Sequence, residues 1–183
     1  MMNKKLDTIT RVLAKIVEVI HWIGVVCMLA CLALTLLFGP DVVGIVPSDY
    51  GAVSSVYGFE LITVNTAGEL NMAALRLLLA GGAILLGLMA MVFRNVFLIM
   101  KSAEQGSPFQ PDNVRRVREI GIFLIATPAV SLNLSILARL ILGPENAEIS
   151  VGLESFLVGL VVLSLSRFFA RGMELETDVD GLL

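Results

Sequence analysis

The chain has 183 residues, 57% of them hydrophobic and only 16% charged, with a formal net charge of −3. Soluble domains carry about 25% charged residues. A soluble fold of this length cannot bury so large an apolar share, so the excess requires lipid.

Four apolar stretches, 16–38, 72–100, 120–142 and 151–170, are each near or above the roughly 20 helical residues that cross a ~30 Å hydrocarbon core. Their interiors must be helical, because lipid offers backbone groups no partners. The fold class expected is therefore an all-α integral membrane protein, a single four-helix membrane domain over 1–183.

The first helix is preceded by "LDTITRVLAKIVEVIHW", whose apolar residues recur at helical spacing with Lys and Arg on the other face. The helix is thus expected to begin in the cytoplasm or along the headgroups. Its apolar run is longer than a signal peptide's, and no small-residue cleavage site follows, which reads as an uncleaved anchor. Cys27 and Cys31 both fall inside it, so no disulfide framework is implied. His21 lies three residues after Glu18, a spacing at which the two can pair.

The connector 39–71 is long for a bundle and should hold structure of its own. Phe59 to Val64 alternates and is rich in β-branched residues, residues 65–68 read as a turn, and 42–46 would supply a partner strand. The expectation is a small β-hairpin capping the extracytoplasmic face between the first and second helices.

The connector 101–119 is basic. Residues 105–108 break the second helix, and Gln110 would cap the third with Pro111 in its first position. Asp112 then sits favourably for the helix dipole, and Phe109 and Val114 occupy staple positions. Val114, Val117 and Gly121 share a face, which leaves Arg115, Arg116 and Arg118 toward water or headgroups. Farther on, Pro128 is placed to kink the third helix and Asn133 to bond across helices. The chain ends in a tail, 171–183, that carries Glu174, Glu176, Asp178 and Asp180.

Lys and Arg cluster before the first helix, around the second connector and at the end of the fourth helix, while 39–71 and 143–150 contain none. By the positive-inside rule both termini and the basic connector are cytoplasmic. Two basic residues depart from the pattern. Arg76 and Arg139 lie inside apolar segments, each about one turn from the outer end, and Glu154 lies at a matching depth in the fourth helix. Charges there must pair or snorkel. Glu154 is expected to pair with Arg139 or Arg76, leaving one cation for a lipid phosphate or small anion.

The stretch Gly106-Ser-Pro108-Phe109-Gln-Pro-Asp-Asn113-Val-Arg115-Arg116-Val-Arg118-Glu-Ile-Gly121 resembles the central motif of a bacterial membrane family, domain-of-unknown-function family 2975. The ending from Phe168 to Leu183 is similar to that family's Phe- and Gly-containing acidic terminus, with more acid and less amide. The resemblance implies a four-helix protein, often encoded beside a small helix-turn-helix regulator, and thus a membrane partner for a cytoplasmic DNA-binding protein.

Enzyme motifs are missing: there is one His, and no metal-binding, phosphate-cradling or nucleophile-elbow pattern. No catalytic residue, metal or cofactor is expected, and no direct contact with nucleic acid. Small-residue stripes at Gly24/Cys31/Thr35, Ala83/Gly87, Thr127/Ser131/Ser135 and Gly152/Ser155/Gly159 read as helix seams, within the bundle or between copies in a homo-oligomer. The basic patch Arg115, Arg116 and Arg118 suits headgroups, and the acidic tail is either a solvated end or a surface for a basic partner. The function expected is non-enzymatic, the binding or sequestering of a cytoplasmic regulator. The alternative is a small transport or channel subunit.

Overall fold

The computed structural model describes residues 4–39, 53–64, 69–103, 110–149 and 152–180. Four helices dominate: α1, Lys4–Phe38; α2, Met72–Ala103; α3, Pro111–Leu142; and α4, Leu153–Asp180. All four are long and apolar enough to cross a membrane. Each helix outruns the apolar segment that marked it, because amphipathic ends continue the backbone hydrogen bonding where hydropathy fades.

The helix ends follow from local chemistry. Asn71 caps α2, its Oδ1 accepting the Ala74 N–H at 3.1 Å. Pro111 opens α3 as expected, and the Gln110 carbonyl accepts from Asn113 and Val114. Gly39 (φ 65°) and Gly143 (φ 93°) adopt the left-handed conformation that ends α1 and α3. Asn146 then donates to the Leu142 carbonyl at 2.7 Å, satisfying one orphan acceptor of α3.

Between α1 and α2 lies the hairpin, with β1 at Val53–Val56 and β2 at Phe59–Ile62. One feature of it differs from the expectation: the strand that pairs with β2 precedes it directly, through a turn at Tyr57-Gly58. Both turn residues have positive φ, 49° and 81°, the geometry of a tight two-residue hairpin whose twist matches its strands. Residues 42–46 and 65–68 lie outside the described residues. A third strand, β3 at Ala147–Ile149, was not foreseen. It pairs antiparallel with β2, setting Glu60 opposite Glu148.

The chain divides into two compact units, one from Met1–Ile20, Leu88–Ala126 and Glu154–Leu183, the other from His21–Gly87 and Thr127–Leu153. The second has its core at Phe59, Leu61, Leu78, Leu85, Ala138 and Ala147. Thus β2 gives its buried face to the helices. In the first unit α3 and α4 approach closely. A Cβ on Gly159 would lie 3.0 Å from the Gly121 carbonyl oxygen, and one on Gly121 would lie 2.7 Å from Leu163. Only residues without side chains allow that approach.

Candidate functional site

The basic connector is more tightly built than its charge suggests. Asn113 is fully buried. Its Oδ1 accepts from Ser102 Oγ at 2.8 Å and from Arg116 Nη1 at 3.0 Å, while Arg116 also reaches the Leu98 carbonyl at 3.4 Å. The expectation that all three arginines face outward is therefore corrected. Arg116 turns back to tie the start of α3 to the last turns of α2, because the buried amide oxygen of Asn113 needs donors there. Arg115 and Arg118 are exposed, and Arg115 pairs with Glu119 at 3.0 Å. Glu119 in turn accepts from the buried Asn95 at 3.2 Å. Gly106, Pro108 and Phe109 lie outside the described residues, whereas Asn113 and Gly121 prove to be packing positions.

Nearby in the same unit, Lys15 pairs with the buried Glu18 at 2.9 Å and stands over the Phe97 ring at 5.1 Å. Downstream, α4 remains helical through Asp180, so Glu174, Glu176, Asp178 and Asp180 ride on a helix. Glu174 is exposed, as are Arg167 and Arg171.

In the other unit, Arg76 is half-buried and donates from Nη2 to the Thr35 carbonyl at 2.6 Å. Its partner is thus a backbone oxygen in the last turn of α1. Arg139 and Glu154 are exposed on their own helices. The pairing expected of Glu154 with Arg139 or Arg76 would join residues of different units, and it stays an expectation. His21 Nε2 meets the Tyr57 hydroxyl at 2.5 Å, with the two rings stacked.

The seams are mixed. Thr127, Ser131 and Ser135 form a buried column, as expected. Gly24 and Gly159 make close contacts, as expected, whereas Gly87 and Gly152 meet open space and Cys31 is exposed; Gly81 and Gly82, which the stripes passed over, are packed as closely. Asn133 bonds the Ala129 carbonyl of its own helix at 2.7 Å and not a neighbouring helix, since an exposed amide satisfies itself locally when no partner faces it. Among the described residues no group of three or more His, Cys, Asp or Glu is placed to hold a metal.

No local pattern marks Asn95, Ser102 or Tyr57 as partners, whereas Glu119 is readable, four residues after Arg115. The fold and these sites define a multi-pass helical membrane protein. No protein-family model, curated protein or solved structure matches the chain. The likeness of its connector and tail to domain-of-unknown-function family 2975 rests on those residues alone.

Proposed function

We propose that this is a non-enzymatic bacterial inner-membrane protein that holds a cytoplasmic regulator, a small basic DNA-binding protein, against the membrane. The observation that carries this reading is the unbroken run of α4 from an apolar span to Asp180, with four acidic residues in its last two turns. A helix displays carboxylates at fixed spacing, and it loses less entropy on binding than a flexible tail. Acid on such a helix complements a basic partner and speeds its encounter. The positive-inside distribution puts this end in the cytoplasm, and the resemblance of the connector supports the partner class. Asn113 and Arg116 belong to the scaffold in this account, which leaves Arg115 and Arg118 for headgroups.

The test is site-specific photo-crosslinking in living cells, with p-benzoylphenylalanine at Glu174 or at Arg139. A soluble DNA-binding protein joined at 174 and not at 139 is expected. Adducts at 174 to lipid or to the chain itself alone would overturn the reading. The alternative, a small transport or channel subunit, draws on the buried hydroxyl column of Thr127, Ser131 and Ser135.

A further inference from the structure

The hairpin does not merely cap the helix ends. Its tip meets α1 at His21, and about 25 Å of helix separates His21 from the end of α1 at Phe38. On α2 it meets Gly81 and Gly82. A Cβ on Gly81 would lie 2.8 Å from Phe59, and one on Gly82 would lie 3.4 Å from Val56, about 15 Å of helix from Met72. On α3 it faces Ser131, whose Oγ lies 3.6 Å from a Cβ built on Gly58, about 16 Å of helix from Leu142. All three helices thus receive the hairpin well inside their length. At comparable positions the outward residues are apolar and exposed: Ile23 and Val26 on α1, Ile84 on α2, Leu137 on α3. That is the surface of a helix in lipid, and the half-thickness of a hydrocarbon core is about 15 Å.

Non-helical backbone at membrane depth is tolerated only where protein covers it or water reaches it. Strand β2 is paired on both sides, but among the described residues β1 is an edge strand, with Val53 and Ser55 exposed. The sheet face turned from the core carries Val53 opposite Ile62 and, nearer the tip, a polar row. Ser55 stands opposite Glu60, and Glu60 opposite Glu148. Carboxylates directly across a strand pair repel and require a high dielectric. Near the tip, the Oγ atoms of Ser131 and Ser135 are buried and take no protein partner. Neither the open edge, the opposed carboxylates nor these hydroxyls are compatible with hydrocarbon.

We propose that the β1–β2 hairpin is a re-entrant element, and that its β1 edge and its Ser55–Glu60–Glu148 face line a water-filled, anionic cleft reaching to about mid-membrane. The glycines at 81 and 82 seat the hairpin, and the His21–Tyr57 contact marks its deepest point. This inference stands apart from the regulator reading, since it concerns the other unit.

The test is thiol accessibility in native membranes, using a cationic, membrane-impermeant methanethiosulfonate on the full chain with Cys27 and Cys31 replaced by Ser. Ser55→Cys, and Val53→Cys as a second edge position, should react at least about 100-fold faster than Ile23→Cys and Ile84→Cys, because only a hydrated thiol ionises to the reactive thiolate. Labelling in denaturant normalises each variant for the amount of available thiol. Edge positions as slow as Ile84→Cys would remove the water. An Ile84→Cys as fast as the edge would show that this level is not in lipid. Either result overturns the proposal.

Discussion

Arg76 Nη2 donates to the main-chain oxygen of Thr35 at 2.6 Å, so a charged side chain near the start of α2 completes the last turn of α1. The carbonyls at a helix C-terminus lack intrahelical donors and carry the negative end of the dipole. A guanidinium is the side chain best suited to that place, and among the described residues Nη2 takes it.

The substitution Arg76→Met should lower the unfolding free energy by about 2 kcal/mol, the range for a hydrogen bond from a charged donor. Thr35→Ala keeps the carbonyl and should cost less than Arg76→Met. Denaturation of the purified protein in detergent measures both. Equal losses would mean that the Thr35 carbonyl is not what Arg76 serves.

Close approach of α3 and α4 gives a second expectation. A Cβ on Gly159 would lie 2.7 Å from Ile125 Cγ1 and 3.1 Å from the Ile125 nitrogen, and backbone cannot yield cheaply. Gly159→Ala should destabilise by about 1–3 kcal/mol, as overpacking does. Gly87→Ala meets nothing within 4 Å and should be neutral or stabilising, since Ala is the better helix former. Thermal midpoints of the two variants should therefore move in different directions, or only the first should move.

The connector node predicts a contrast between neighbours. Asn113→Leu removes the acceptor that Ser102 and Arg116 share, at a cost of about 1–3 kcal/mol for the donors left unmet. Arg118→Ala, at an exposed position, should stay within about 0.5 kcal/mol. Matching losses in detergent stability would contradict the buried role of Asn113.

Much of this was legible in advance, and the misses have physical reasons. Apolar runs of 20 residues leave a helix as the sole solution, so the four helices could be read directly. Gln110-Pro111 likewise announced the start of α3. The strand from Phe59 was visible through its alternation, but its turn was not. Tyr57-Gly58 lacks the Asn-Gly signature, and only Gly58 hints at positive φ. Strand β3 has three residues and is held by pairing with β2, a long-range contact with no local signal. Arg116 looked like its exposed neighbours because nothing in its spacing shows that a buried amide waits beneath it.

The most direct measurement on the central claim is quantitative mass spectrometry of proteins retained by the detergent-solubilised, N-terminally tagged chain, compared with a chain ending at Met173. The account predicts a soluble DNA-binding protein held by the full chain and lost with the acidic end of α4. The same cytoplasmic proteins on both forms, or none on either, would contradict it.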